Sequence, residues 1–234
     1  MTIAANLSAV RSSIACAAAR VGRDPESVTL IAVTKTQPAS RLAEAYEAGQ
    51  RLFGENRVQE FADKLDALGP MSDVEFHMIG HLQSNKAGKA VEIFHAVDSL
   101  DSAKLGGRLN TAAEKLGKVV NVLIEVNIGG EEAKTGIVPD SPELERILLA
   151  APKWHNLRLQ GLMTVPPFTD DPEGARPYFR KLRELRDTLA ARELPGVSLG
   201  ALSMGMSHDF EVAIEEGSTC VRVGTTIFGE RAKV

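Results

Sequence analysis

The first candidate for a reactive residue is a lysine that follows an apolar segment. Residues 28–37 read VTLIAVTKTQ, an almost unbroken run of apolar and β-branched residues that leads into Lys35. A poorly solvated amine favours its neutral form, which lowers its pKa and makes it a nucleophile for carbonyl groups. The alternative is an ordinary surface lysine just past a strand, since lysines are rarely buried without a partner.

A second group of residues, close to the carboxyl terminus, has the composition of a phosphate site. Gly205 and Ser207 precede a short predicted helix, 208–216, whose first N–H groups can bind an anion while Ser207 caps the helix or bonds a phosphate oxygen. Gly224, in the sequence RVGTTIFG, lets the backbone approach a ligand closely, and Thr225 and the next threonine add two hydroxyls. The alternative is an ordinary helix cap followed by a glycine turn.

These residues fall at the ends of strands in a chain that alternates predicted strands and helices. Every predicted strand except the last is followed by a helix, and the strands are apolar throughout, as expected for parallel strands covered on both faces. The eight strands are predicted at 28–34, 51–56, 74–80, 93–100, 118–129, 157–165, 196–206 and 219–229.

Eight such units in 234 residues predict a single (β/α)8 TIM-type barrel that occupies the whole chain, 1–234. The rival is a doubly wound open sheet, which would carry a glycine-rich turn after its first strand. Here that turn reads TKTQPAS and has no glycine. No linker or composition shift marks a second domain.

The amino-terminal segment allows two interpretations. Its first 20 residues are rich in alanine and serine and carry two arginines and no acid, which is the composition of a transit peptide. Its apolar residues recur at helical spacing, which favours an additional helix packed on the barrel. We expect the helix, with these residues on its inner face: Ile3, Leu7, Val10, Ile14, Ala17 and Ala18.

Barrel closure connects the two candidate groups, because strand 8 then neighbours strand 1 and Lys35 faces the phosphate loops across the barrel mouth. A Schiff-base lysine opposite a phosphate site suggests pyridoxal 5′-phosphate (PLP), and it also suits Schiff-base aldolases that act on sugar phosphates. Arg222 bears on this choice, because an arginine that faces the pyridine nitrogen donates a hydrogen bond and leaves that nitrogen unprotonated. The alternative for Arg222 is an ion pair at the bottom of the barrel.

Composition excludes several classes of function. The net charge of −4 provides no basic field for nucleic acid, and no apolar run is long enough to span a bilayer. Cys16 and Cys220 lie far apart in sequence and are expected to be buried, reduced thiols of a cytoplasmic protein. His77 and His81 are four residues apart, but no third ligand stands at motif spacing, so no metal site is expected.

Five segments resemble those of the PLP-binding homeostasis proteins, which are similar to the barrel domain of alanine racemase without its second domain. The similarity runs from about residue 28 to 231, nearly the whole chain. The segments read AVTKTQP, FGENRVQE, HMIGHLQSNK, GLMTV and LSMGMSHDFEVAIEEGSTCVRVGTTIFGER.

The resemblance implies a role for each candidate residue. It implies that Lys35 forms a Schiff base with PLP and that the phosphate is held by Ser207, Gly224 and Thr225. Arg222 matches the arginine near the ring nitrogen in racemase-like barrels. Asn56 lies in the GENRVQE segment near the cofactor. Lys134 is a second loop lysine that could react with PLP less specifically.

Two functions remain, a PLP carrier and a PLP enzyme. A two-base racemase needs an acid/base group on each face of the substrate, and Lys35 could serve only one face. In alanine racemase the other group comes from the domain outside this similarity, and Tyr46 and Tyr178 fall on predicted helices away from the mouth. We therefore expect a monomeric PLP-binding protein of vitamin B6 homeostasis without efficient catalysis. PLP-dependent apo-enzymes are its possible partners, and a PLP-dependent amino-acid racemase is the alternative.

Overall fold

Strand pairing closes into a ring. The computed structural model describes residues 2–68, 71, 73–131, 134–195 and 197–230. Within them, eight parallel strands pair in chain order, and the last strand pairs with the first. Ala32 of the first strand lies opposite Phe53 of the second on one side and opposite Val223 of the eighth on the other. The predicted (β/α)8 barrel with an additional amino-terminal helix is confirmed.

The strands are shorter than predicted, but each lies inside its predicted segment. The predicted start of the seventh strand, at residue 196, lies outside the described residues, as does the end of the similar region at residue 231. The strands are β1 (Thr29–Val33), β2 (Leu52–Glu55), β3 (Glu75–Met78), β4 (Ala96–Leu100), β5 (Val120–Glu125), β6 (Leu157–Met163), β7 (Val197–Met206) and β8 (Cys220–Val223).

The helices surround the barrel, and no helix in the described parts of the chain is long and apolar enough to cross a membrane. They are α1 (Ile3–Arg20), α2 (Ala39–Glu47), α3 (Val58–Leu65), α4 (Ala87–Ile93), α5 (Ala103–Lys115), α6 (Pro142–Ala150), α7 (Arg176–Ala190), α8 (Phe210–Glu215) and α9 (Thr225–Phe228).

The last strand differs from its prediction. It ends at Val223, because Gly224 leaves the β region with φ −117° and ψ −74°, and the β-branched residues that follow form α9 instead of more strand. The N–H groups of Ile227 and Phe228 donate to the Gly224 carbonyl, each at 2.9 Å. Asn6 of α1 donates to the Ile227 carbonyl at 2.8 Å. Packing against α1 therefore overrides the local strand preference.

The amino-terminal segment is a structural helix. All six residues predicted for its inner face are buried, from 0% to 5% exposed. Thr2 caps it, since its hydroxyl accepts from the Ala5 N–H at 3.2 Å. Cys16 lies on the outer face of this helix and is exposed, so the prediction of a buried thiol is wrong there. Cys220 is half-buried, and both thiols are free.

A half-buried histidine pairs with a buried aspartate toward the amino-terminal ends of the strands. His77 Nδ1 lies 3.1 Å from Oδ1 of Asp98, and both residues line a cavity of about 310 Å³. Burial by itself lowers the pKa of His77. The charge and hydrogen bond of Asp98, with a smaller contribution from Glu75, outweigh burial and raise this pKa to about 9. His77 is therefore positively charged at neutral pH.

We predict that the free energy of unfolding decreases as pH rises from 6.5 to about 9. The stabilisation from protonated His77 is complete below the ordinary pKa of 6.5 and is lost as pH rises through the folded-state pKa of about 9. Complete loss amounts to about 3 kcal/mol at most. Urea unfolding across this pH range measures the slope. His77→Gln should flatten the curve, and an equal slope in that variant would contradict the assignment.

Candidate functional site at the carboxyl ends of the strands

A cavity of about 510 Å³ opens where the carboxyl ends of the strands meet. The structure brings all six predicted site residues to its wall: Lys35, Asn56, Ser207, Arg222, Gly224 and Thr225. The cavity thus joins the lysine, the two loops of the predicted phosphate site and the arginine, as barrel closure required. What each of these residues binds stays a prediction.

Lys35 stands two residues past the buried end of β1. Thr34, which is fully buried, donates its N–H to the Gly54 carbonyl at 3.0 Å and so continues the strand pairing by one residue. The chain then turns, and the Gln37 N–H donates to the Thr34 carbonyl at 3.0 Å. Lys35 is half-buried at this turn, on the wall of the cavity.

Asn56 follows β2 on the same wall, where a glycine allows its backbone to lie close to the next strand. A Cβ placed on Gly80 would lie 2.5 Å from the Asn56 carbonyl oxygen and 2.8 Å from its Cα. Because these are backbone atoms, no side-chain rotation could relieve the overlap. The lack of a side chain at Gly80 therefore lets the Asn56 backbone lie this close to the residues that follow β3.

The two predicted phosphate loops contact each other through Ser207. Its hydroxyl accepts from the Gly224 N–H at 3.1 Å and from the Thr226 N–H at 3.4 Å. The prediction that Ser207 caps α8 is wrong, because Asp209 occupies the cap position. Ser207 instead joins the loop after β7 to the first turn of α9.

Asp209 shapes the loop that presents Ser207. Its Oδ1 accepts from the Met206 N–H at 2.6 Å, which closes the loop. Gly205 adopts φ +95°, and a Cβ there would lie 2.9 Å from the Cα of Phe210. Only glycine suits both this conformation and this contact. The result is a fixed cluster of hydroxyl and backbone N–H groups, the types of donor that bind anions, in which the Gly224 and Thr226 N–H groups donate to Ser207.

Arg222 of β8 is buried, with 4% of its surface exposed. It donates to Oγ of Ser203 at 2.6 Å and to the Thr164 carbonyl at 2.7 Å. Among the described residues it forms no ion pair, so the alternative of an ion pair at the barrel bottom is wrong. Burial lowers its pKa, and nearby acidic groups oppose that effect. An arginine stays charged regardless, and a guanidinium uses only some of its five donors in these two bonds.

Glu125, the last residue of β5, is a cavity residue that was not among the predicted site residues. It lines the cavity with only 6% of its surface exposed. Its Oε1 accepts from the Thr135 hydroxyl at 2.7 Å, whereas its Oε2 has no hydrogen-bond partner in the described part of the structure. Burial raises its pKa. The available signal was a lone carboxylate within the apolar strand VNVLIEV.

Lys134, the second candidate lysine, lies at the cavity, whereas the two histidines considered as metal ligands lie far apart from each other. Lys134 lines the cavity, forms an ion pair with Glu131 and donates to the Pro166 carbonyl at 3.2 Å. His81 at the mouth lies 3.1 Å from Asp101, whereas His77 bonds Asp98 at the opposite end of the strands. Over the described ranges, no three His, Cys, Asp or Glu side chains are placed to share a metal ion.

The residues of this cavity fit PLP. The cofactor needs an amine for its aldehyde, donors for its phosphate and a group for its ring nitrogen. Lys35 carries an amine, the Ser207 and Gly224 loops carry hydroxyl and N–H groups, and Arg222 is a cation on the buried wall, so the cavity holds each of these chemical groups. Glu125, on the wall of the same cavity, leaves its buried Oε2 without a hydrogen-bond partner among the described residues, which is costly in an unliganded site.

Comparisons with known proteins agree with this fit. A family model described as "Alanine racemase, N-terminal domain" matches residues 5–232. A pyridoxal phosphate homeostasis protein of Aquifex aeolicus is 48% identical over 232 residues, which cover 99% of each chain. Another with that name, from Escherichia coli, is 44% identical and covers 98% of this chain and 97% of its own.

Solved structures extend the comparison. PipY of Synechococcus elongatus, in a structure with PLP bound, is 38% identical with a TM-score of 0.85, and covers 97% of this chain and 100% of its own. An alanine racemase of Clostridium difficile is 16% identical with a TM-score of 0.70, and covers 99% of this chain but 57% of its own. This second likeness shows a shared fold only.

The two kinds of match point to one assignment, since the family model spans nearly the whole chain and the curated relatives align with it from end to end. The chain belongs to the alanine racemase N-terminal domain family and, within it, to the pyridoxal phosphate homeostasis proteins.

Proposed function

We propose that this protein binds PLP and takes part in PLP homeostasis, and that it holds the cofactor as a Schiff base on Lys35. The observation that carries the proposal is that Lys35 and the Ser207–Gly224 donor cluster line one cavity. The aldehyde of PLP supplies the reactivity toward primary amines. The names of the relatives and the PLP bound to PipY support the same ligand.

Each predicted residue has a role in this proposal. Ser207, Gly224 and Thr225 bind the phosphate through hydroxyl and backbone N–H groups. Arg222 lies toward the ring nitrogen, held by Ser203 and the Thr164 carbonyl. As a donor that never loses its proton, it leaves the ring nitrogen unprotonated and the ring a weak electron sink.

The protein holds the cofactor rather than turning over a substrate. The curated relatives that align with it end to end are named for homeostasis and not for a reaction. Tyr46 bonds Asp73 on the outside of the barrel, and Tyr178 lies on α7; neither lines the described wall of the cavity.

A PLP-dependent amino-acid racemase remains the alternative, and Glu125 is the observation that favours it. A buried carboxyl with a raised pKa, on the wall of the same cavity, is a second acid/base candidate beside Lys35. Chiral chromatography of alanine incubated with the PLP-loaded protein decides between the two functions. Racemisation that disappears in both Lys35→Ala and Glu125→Gln would establish the enzyme.

The delivery of PLP is part of the proposal. We propose that PLP-dependent apo-enzymes accept the cofactor, that the protein acts as a monomer and that it works in the cytoplasm. The open mouth of the cavity supports the first of these, because a bound ligand there stays within reach of an acceptor.

The Schiff base predicts a visible absorption band when PLP is added to the protein. The band should be absent in Lys35→Ala, because that variant removes the amine. Lys89→Ala is the matched control, since Lys89 is exposed and pairs with Glu92 away from the cavity. Absorption spectra with added PLP make the measurement. A band of equal strength in Lys35→Ala would show that another lysine reacts.

Gly80→Ala should weaken PLP binding and destabilise the fold. The new methyl group meets the backbone of Asn56, and relieving such overpacking costs about 1–3 kcal/mol. Gly88→Ala is the control, because an added Cβ there meets nothing within 4 Å and alanine favours the helix α4. PLP titration and thermal unfolding of both variants test this. Unchanged affinity in Gly80→Ala would remove Asn56 from the binding site.

A further inference from the structure

Lys35 lies in a turn that is strained. The Gln37 N–H donates to the Thr34 carbonyl, so Lys35 and Thr36 are the second and third residues of a four-residue turn. Thr36 has φ +62°, and among the described residues only Glu193 shares a positive φ without being glycine. A positive φ at the third residue alone defines a type II turn, where glycine or asparagine is usual. A β-branched threonine there is strained.

Glu60 of α3 holds this strained conformation. The Thr36 N–H donates to its Oε1 at 2.7 Å. Type I and type II turns differ by a flip of the central peptide, here the Lys35–Thr36 peptide, and the flip reverses the direction of this N–H group. The bond to Glu60 therefore selects the type II form. It also sets ψ of Lys35, on which the accessible side-chain rotamers depend.

The residue before Lys35 is held just as firmly, by a buried ion pair. Lys64 Nζ donates to the Thr34 carbonyl at 2.9 Å and to Oε1 of Glu55 at 2.5 Å. The Thr34 hydroxyl donates to the same carboxylate oxygen at 2.7 Å. The side chains of Lys64 and Glu55 are 6% and 0% exposed. Burying such a pair is costly, and here its bonds converge on one residue, Thr34.

We propose that Glu60 is the positioning residue for Lys35: it keeps the turn in the strained type II form that directs the lysine into the cavity, against the anchor that Lys64 and Glu55 provide at Thr34. The proposal rests on the proposed Schiff base at Lys35. Without Glu60, the turn relaxes and the form that binds PLP becomes a minor one. The apparent PLP affinity is then the intrinsic affinity multiplied by the fraction of molecules that keep the type II turn.

The test compares PLP with pyridoxine 5′-phosphate, which has the same phosphate but no aldehyde. Glu60→Ala should weaken PLP binding roughly ten-fold, given the usual size of such backbone strain. Pyridoxine 5′-phosphate should bind the variant as it binds the native protein, since it does not need the amine of Lys35. Glu60→Gln keeps an acceptor oxygen and should preserve the PLP affinity.

A second substitution tests the role of the turn itself. Glycine adopts a positive φ without strain, so Thr36→Gly in the Glu60→Ala background should restore most of the lost PLP affinity. The double variant also covers the case in which Glu60→Ala alone folds poorly. Fluorescence titration measures both ligands, and thermal unfolding checks each variant.

Three results would overturn the positioning role. The first is native PLP affinity in Glu60→Ala, and the second is no recovery in the double variant. The third is an equal loss for both ligands, which indicates a general effect on the cavity. The Lys35→Ala variant tests the Schiff base separately from the role of Glu60. If this variant binds PLP and keeps the visible band, the proposed Schiff base on Lys35 is wrong, regardless of the results for the Glu60 variants.

Discussion

The pairing of β8 with β1 is the contact on which the site depends. Ile31 lies opposite Arg222 and Ala32 opposite Val223, so the residues that follow the two strands emerge side by side. Those residues are Lys35 and the Gly224 turn, almost 190 positions apart in sequence. These two segments become neighbours at the rim of the barrel only because the last strand pairs with the first. An open sheet of the same strands would leave them at opposite edges.

Closure also creates the low-polarity environment that gives the polar residues their properties. Arg222, Glu125 and Asp98 are each less than 10% exposed. Such groups cost folding free energy unless they are paired or hydrogen-bonded. Arg222 is satisfied by Ser203 and a carbonyl, whereas one oxygen of Glu125 is not. Glu125 itself lines the cavity at the mouth of the barrel.

Much of the architecture could be predicted because it depends on local patterns. The apolar strands, the spacing of the α1 core residues and the loops at the strand ends are all sequence-local, and together with the family resemblance they led to the six predicted site residues. The end of β8 could not be predicted, because Thr225–Phe228 has strand propensity and becomes helical only through packing against α1. The contact of Ser207 with Gly224 joins two loops, and it depends on the tertiary fold.

Two features of the site left only weak traces in the sequence. Glu125 resembles any polar residue at a strand end until its burial is known. The turn at Lys35 was predicted as a loop, but TKTQ has no glycine to signal a positive φ at Thr36. That conformation depends on the bond that the Thr36 N–H donates to Glu60, a residue on α3, beyond the helix that directly follows the turn. Strain that distant residues hold in place cannot be read from local propensity.

The most direct test of the account is to find which lysine carries PLP. The loaded protein is reduced with borohydride, which fixes a Schiff base as a stable amine, and is then digested and analysed by mass spectrometry. The account predicts the label on Lys35, at close to one per chain. Label located mainly on Lys134, or spread evenly over the surface lysines, would contradict it.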